Sequence, residues 1–186
     1  MIYLSKGIAP WKPTEADVSV SYCGALHKLT GVQSALWLAG QHTLGHSRKE
    51  HDAALKQLNA LGIVEFNEEA ESAAIYRILT NCAICPARQT FSITFLNRAE
   101  RRLWRWIKRA GLRLTMAELT LLTEREIKPS AELLGEQNRQ ALTESIYTTE
   151  TIFDGILENL MEKSPVREET VQAVLGLLSK RKIYLI

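Results

Sequence analysis

The sequence contains no long hydrophobic run and few of the residues from which catalytic and metal sites are usually built. No apolar segment approaches the roughly 18 residues that a membrane-spanning helix needs, and residues 1–13 lack the basic and apolar regions of a signal peptide. The 186 residues include three cysteines, an odd number without the regular spacing of a disulfide framework. These absences favour a cytoplasmic protein that does not associate with a membrane.

Motifs that mark the common enzyme classes are also absent. The sequence has no P-loop, no G-x-G-x-x-G, no G-x-S-x-G and no H-E-x-x-H segment. Its three aspartates, Asp17, Asp52 and Asp154, are too widely separated to suggest a carboxylate pair. The sequence therefore predicts that the protein is not an enzyme.

The charged residues are strongly segregated although the net charge is only +2. Residues 97–113 hold seven basic residues and one acid, whereas residues 114–162 hold three basic residues and ten acids. Such an asymmetry indicates either a basic face for an anionic partner or two complementary surfaces within one assembly.

Helical patterns and a turn organise the first half of the chain. Residues 31–41 show apolar side chains at helical spacing, and a second helix is predicted from Ser47 to Leu61, where Ser47 and Glu50 would form a capping box. Gly62 would end this helix, and residues 63–66 read as a strand. For residues 14–29 two alternatives stay open, a helix starting at Thr14 or a strand with alternating apolar residues.

Residues 73–81 are rich in β-forming residues and follow a polar loop at residues 67–72. Together with residues 63–66 they predict a β-hairpin.

This order of elements resembles the winged helix-turn-helix superfamily over about a third of the chain. Gly31–Gln41 corresponds to the second helix of that fold, Ser47–Leu61 to the third helix, and Gly62–Asn81 to the wing. The expected fold is mainly α with a small β-hairpin, comprising a winged-helix domain at residues 14–96 and a helical domain at residues 97–186. A shift of 120 residues aligns several leucines, so the second domain is either another, degenerate winged-helix-like unit or a plain helical domain.

The resemblance implies a bacterial-type transcription regulator that binds double-stranded DNA and places its third helix in the major groove. The polar side of that helix carries donors suited to phosphates and base edges; the candidate residues are Arg48, Lys49, His51, Lys56, Gln57 and Asn59. An ordinary solvated helix face is the alternative. The predicted wing carries four glutamates, which suits contact with a protein better than contact with phosphate, so a protein-interaction adaptor is the second functional hypothesis.

Residues 98–110 predict a strongly basic helix. Leu103, Trp106 and Ile107 share one face and should pack inward, while Trp104 is expected on a more exposed side. Arg101 and Arg105 would add phosphate contacts to the DNA interface. Pairing with the acidic segment that follows, within the chain or across a dimer interface, is the favoured interpretation of this helix; nucleic-acid contact and a membrane surface are the alternatives.

Cys82 and Cys85 have the C-x-x-C spacing of metal sites and redox pairs. Cys23 with His27, and His42 with His46, would supply enough further ligands for one zinc ion. Buried, unreactive cysteines are the favoured reading, with zinc binding and thiol sensing as the alternatives.

A homodimer is expected because pairing two DNA half-sites raises affinity. The amphipathic segments at residues 152–161 and 171–178 are the predicted interface.

Overall fold

Helices predominate over short antiparallel strands in the computed structural model, which describes residues 1–9, 17–87, 95–109, 114–129, 139–148 and 155–186. The strands are β1 (Ile2–Ser5), β2 (Asp17–Tyr22), β3 (Ala25–Thr30), β4 (Gly45–His46), β5 (Val64–Asn67), β6 (Ile84–Pro86) and β7 (Ile183–Leu185). The helices are α1 (Gly31–Gly40), α2 (Asp52–Ala60), α3 (Ser72–Thr80), α4 (Arg98–Arg109), α5 (Met116–Glu124), α6 (Arg139–Ile146), α7 (Ile156–Glu162) and α8 (Arg167–Ser179). The expectation of a mainly helical protein with a small β component is confirmed.

The strands form three small antiparallel sheets within the described residues. One has the order β4-β1-β5, and the other two are the pairs β2-β3 and β6-β7. At the β2-β3 turn, Cys23 and Gly24 both have positive φ angles, 47° and 84°. This backbone matches the right-handed twist of a two-residue hairpin, so the strand alternative for this region is correct.

A helix, a left-handed turn and a strand occur twice with the same spacing. Helices α2 and α8 end at Ala60 and Ser179, and strands β5 and β7 begin at Val64 and Ile183; both pairs are separated by 119 residues. Between helix and strand, Gly62 and Arg181 have positive φ angles of 75° and 54°. The hydrogen bonds match as well, because Ile63 N–H donates to Leu58 O and Lys182 N–H donates to Leu177 O.

The strands with which β5 and β7 pair are also equivalent. β5 pairs with β1 so that Val64 faces Ser5, and β7 pairs with β6 so that Ile183 faces Pro86. On the other side, β1 pairs with β4 and β6 forms a single bridge to Leu114. The chain thus contains two units, and in each unit the strand that comes first, β1 or β6, lies between two pairing partners. Equivalent residues of the helix, turn and final strand are 119 residues apart, rather than the 120 suggested by the sequence.

Strand β1 lies between two hydrophobic cores. Ile2 and Leu4 belong to the larger core, which also includes the inner sides of α3, α4, α5 and α8, whereas Tyr3 belongs to the smaller core around α1 and α2. Alternate side chains of a strand point in opposite directions. The first strand therefore joins the two units by burying both of its faces.

The predicted wing is wrong in its second half. Residues 64–67 form β5, but residues 72–80 form helix α3 and bury Ala74, Ile78 and Leu79 in the larger core. In place of the predicted hairpin, β5 pairs with β1. Tertiary pairing here overrides the β preference of the residues.

The predicted third helix is shorter than expected. Helix α2 begins at Asp52 after a 3-10 turn at Lys49–His51, and Ser47 lies outside both. The Ser47 hydroxyl donates to Arg48 O and Asp52 Oδ1, so the capping box with Glu50 does not form. Leu61, the last residue of the predicted helix, is 43% exposed.

The predicted dimer interface is largely occupied within the monomer. Val171, Val174, Leu177 and Leu178 are buried in the larger core and are not available to a second chain. In the other segment, Leu157 and Met161 are buried while Ile156 and Leu160 are exposed. Ile152 lies outside the described residues.

Candidate nucleic-acid interface

Helix α4 separates its apolar and charged residues almost completely. Leu103, Trp104, Trp106 and Ile107 are buried, where the helix packs against α8 and β6. The predicted exposure of Trp104 is therefore wrong; contacts on two sides bury a wider arc of the helix than one apolar stripe suggests. The side chains that point outward in the described part of α4 are all cationic and are called the basic face: Arg98, Arg101, Arg102, Arg105 and Lys108.

The one acid in α4 points inward. Glu100 is buried, and its Oε2 accepts a hydrogen bond from Asn97 N–H at 2.8 Å while Asn97 Oδ1 accepts one from Glu100 N–H at 2.8 Å. This reciprocal arrangement is a capping box that satisfies two free donors at the start of the helix. Lys180, the residue that follows α8, places its Nζ 2.6 Å from the same carboxylate. The negative charge is thus neutralised by a cation that does not belong to the basic face.

Four arginines of the basic face line one cleft. Arg98, Arg101, Arg102 and Arg105 recur at the spacing of one helix face, and they form a wall of a cavity of about 730 Å³. The other lining residues are Ala99, Glu126, Lys128, Pro129 and Glu169. The cleft therefore gathers five cations and two carboxylates from α4, the segment after α5, and the start of α8.

Most of these cations have no acidic partner in the part of the chain that the structure describes. Within the described residues, the basic face makes one ion pair, between Arg102 Nη2 and Glu169 Oε1 at 3.7 Å. The Nε atom of Arg102 is buried and has no hydrogen-bond acceptor in the same part of the chain. Clustered guanidinium groups without partners create a positive potential that attracts anions.

Within the described residues, no carboxylate of the acidic segment forms an ion pair with the basic face, although Glu126 lines the same cleft. Glu118 closes the capping box of α5 with Thr115 and accepts a hydrogen bond from Tyr147 Oη at 2.6 Å. Glu162 pairs with Arg77 at 2.7 Å. These two carboxylates thus serve other contacts.

The cations predicted to contact DNA from the third helix lie on the surface beside an acid. Arg48, Lys49 and Lys56 are exposed, and Arg48 Nη1 lies 3.7 Å from Glu50. His51 is half-buried, with its Nε2 3.6 Å from the same glutamate. Three cations therefore remain on the surface of α2 and the turn before it, with an acid among them.

The two amides expected to read bases are engaged in the fold. Asn59 Nδ2 donates to Val64 O at 2.8 Å, across the turn at Gly62. Gln57 Oε1 accepts a hydrogen bond from Gln33 Nε2 of α1 at 2.9 Å. Asn59 in particular stabilises the helix-to-strand turn, so its reach toward a base edge is reduced.

The two basic regions belong to different units of the fold. α2 packs on α1 and β5 in the first unit, whereas α4 packs on α8 and β6 in the second. Arg101 and Arg105 were selected from the sequence, but Arg98, Arg102 and Lys128 were not. The spacing of the arginines along α4 would have identified the first two; Lys128 is brought in by tertiary structure.

The cysteines do not assemble a metal site in the part of the chain that is described. No group of three histidine, cysteine, aspartate or glutamate side chains close enough to hold a metal occurs there. Cys82 and Cys85 are buried and Cys23 is exposed. Burial raises the pKa of the Cys82 thiol to about 12, and the thiol donates to Ile78 O. Cys82 is thus protonated at neutral pH and poorly reactive.

No helix in the described residues is both long and apolar enough to span a membrane. Comparisons with protein-family models, with curated proteins and with solved structures give no match.

Proposed function

We propose that the protein binds nucleic acid and that the basic face of α4 makes the principal contact. The observation that carries the proposal is the row of cleft arginines whose single acidic partner within the described residues is Glu169. Phosphate contacts supply most of the sequence-independent affinity of nucleic-acid-binding proteins. Arginine suits them because its planar donors match phosphate oxygens.

The role as a transcription regulator belongs to the same proposal. It is supported by the order α1-β4-α2-β5, which keeps part of the resemblance to the winged helix-turn-helix superfamily. The replacement of the second wing strand by α3 and the internal bonds of Gln57 and Asn59 weaken the case for α2 as the reading helix. The proposed contact through the basic face of α4 does not require α2 to be the reading helix.

A pair of charge-matched variants separates the two helices. R101Q/R105Q and K49Q/K56Q each remove two exposed cations, one pair from α4 and the other from α2 and its preceding turn. Fluorescence anisotropy with labelled DNA at about 50 and about 200 mM salt would measure affinity and its salt dependence. We expect R101Q/R105Q to weaken binding at least tenfold and to reduce the salt slope by about 2, because each lost phosphate contact lowers it by about 1.

K49Q/K56Q is expected to change affinity much less. The opposite ranking of the two variants would assign the contact to α2. Unchanged affinity in R101Q/R105Q would refute the proposed role of the basic face.

A protein-interaction adaptor is the second candidate function, and α1 favours it. This helix contains no charged residue, and Val32, Ala35 and Ala39 are exposed on one side of it. An uncharged exposed helix face is suited to contact with another protein. A second copy of the chain is the simplest partner, and sedimentation equilibrium of the wild type and of V32D/A35D would test for it. A concentration-dependent dimer that the variant abolishes would support this function. A monomeric wild type would count against pairing through α1.

A further inference from the structure

Phe95 is an aromatic side chain held in solvent at the start of the basic helix. It is 79% exposed, more than any other large apolar residue described in the structure. Exposing a phenyl ring forgoes the free energy that its burial would provide. Its position, three residues before Arg98, places it within about 10 Å of the cleft's first arginine along the chain.

The connection between Phe95 and α4 is anchored. Leu96 is buried in the larger core, and Asn97 exchanges two hydrogen bonds with Glu100 at the beginning of the helix. Glu100 is itself held by Lys180. The backbone on the helix side of Phe95 is therefore fixed relative to α4, which limits how far the ring can move from the arginines.

We propose that this site binds single-stranded nucleic acid, with Phe95 stacking on a base while the arginines of α4 contact the neighbouring phosphates. The inference rests on the proposed function and specifies its ligand. Proteins that hold single strands combine a positively charged groove with aromatic rings on which bases stack. Both components occur here, next to each other in sequence and joined by a rigid segment.

A duplex fits these features less well. In a double helix both faces of each base are covered by neighbouring base pairs, so an exposed phenyl ring has no base face on which to stack. The cleft volume of about 730 Å³ lies in the range of roughly 300–1,000 Å³ that holds small ligands. We expect the backbone of one strand to enter such a cleft and a duplex to lie across its mouth.

The carboxylates of the cleft are compatible with this ligand. Glu126 and Glu169 lie among the lining residues, where they would repel a second row of phosphates. Carboxylates also accept hydrogen bonds from the amino groups of unpaired bases. A single strand offers both phosphates and bases to the cleft, and a duplex offers mainly phosphates.

The test compares F95L with the wild type on three ligands: an oligothymidylate of about fifteen nucleotides, a duplex of the same length, and heparin, a polyanion without bases. Leucine keeps an apolar side chain but removes the aromatic face, and an unchanged melting temperature would show that the fold is intact. We expect F95L to weaken oligothymidylate binding roughly 5- to 150-fold, the range that corresponds to the loss of one base–aromatic stack. Duplex and heparin binding should be unchanged, and F95Y should bind the oligothymidylate like the wild type.

The outcomes distinguish this inference from the proposed function. Oligothymidylate binding that depends on Arg101 and Arg105 but is equal in F95L and the wild type would overturn the single-strand inference alone. A wild type that prefers duplex to single strand would also overturn it. A wild type that binds neither form of DNA would overturn the proposed function itself.

Discussion

Lys180 Nζ donates to both carboxylate oxygens of Glu100, each at 2.6 Å, across the contact between α8 and α4. The glutamate side chain is almost fully buried, whereas the lysine side chain is about one-third exposed. The pair serves two purposes at once. It joins the last helix to the basic helix, and it removes the one negative charge of α4 from the side where an anion would bind.

Substitution of Lys180 by methionine should lower the free energy of unfolding by about 2–3 kcal/mol, because it leaves a buried carboxylate without its cation. The partial exposure of the lysine keeps the loss toward the lower end for a broken buried pair. Urea denaturation monitored by tryptophan fluorescence would measure it. The double variant E100Q/K180M should recover part of the loss, and a K180M midpoint equal to that of the wild type would contradict the prediction.

Substitution of Gly176 by alanine should destabilise the protein, although the same change stabilises most helices by about 0.5–1 kcal/mol. A Cβ atom at Gly176 would collide with Oε1 of Glu100, which is fixed by Asn97 and Lys180. Thermal denaturation of G176A tests the effect. In an E100A background the collision is absent and G176A should become stabilising; the same sign in both backgrounds would show that Glu100 is not the cause.

Because the two turns are equivalent, removing the glycine at Gly62 and introducing one in place of Arg181 should change the free energy of unfolding in opposite directions. G62A should lower the free energy of unfolding by about 1–2 kcal/mol, because a side chain is strained at a positive φ angle and would also lie close to the Tyr22 ring. R181G should raise it by up to about 1 kcal/mol, since it relieves that strain at the matching position. Chemical denaturation of the two variants would establish the signs, and equal signs would refute the equivalence of the turns.

His42 predicts a loss of stability on mild acidification. Burial, with a smaller contribution from Arg181, lowers the pKa of this histidine, and its Nδ1 has no hydrogen-bond partner within the described residues. The unfolded chain, with a histidine pKa near 6.5, therefore binds protons more readily than the folded one. The contribution is fully present above about pH 6.5 and falls as the pH decreases toward the lowered pKa.

Melting temperatures measured between about pH 7.5 and 5.5 would test this. H42L should show a shallower dependence than the wild type over that range. Parallel curves would show that His42 does not carry the effect.

The sequence predicts the features that depend on contacts between neighbouring residues, and it misses those that depend on contacts between distant parts of the chain. The inward positions of Leu103, Trp106 and Ile107 in α4 depend on local periodicity, and they are confirmed. The wing failed because the partner of β5 is β1, some sixty residues earlier in the chain. A local pattern of β-forming residues carries no information about that distant pairing.

The candidate site was predictable only in part for the same reason. The concentration of arginines around residues 98–109 is evident from the sequence, but the inward direction of Glu100 depends on Lys180, the residue that follows α8. Lys128 and Glu169 join the cleft through tertiary packing. The hydrogen bond from Asn59 to Val64 O belongs to a turn whose geometry only the three-dimensional arrangement reveals, and a DNA contact by Asn59 stays a prediction. The division at residues 96 and 97, the zinc site and the dimer stay predictions.

The pairing of β6 with β7 has a consequence for biosynthesis. The first sheet is complete once Asn67 has left the ribosome, whereas β6 ends at Pro86 and its partner begins only at Ile183. Until Ile183–Leu185 have been synthesised, Ile84 and Cys85 lack the strand that pairs with them in the folded protein, and closing so long a loop delays their pairing. Nascent chains stalled before Ile183 should therefore be the ones that recruit chaperones or aggregate.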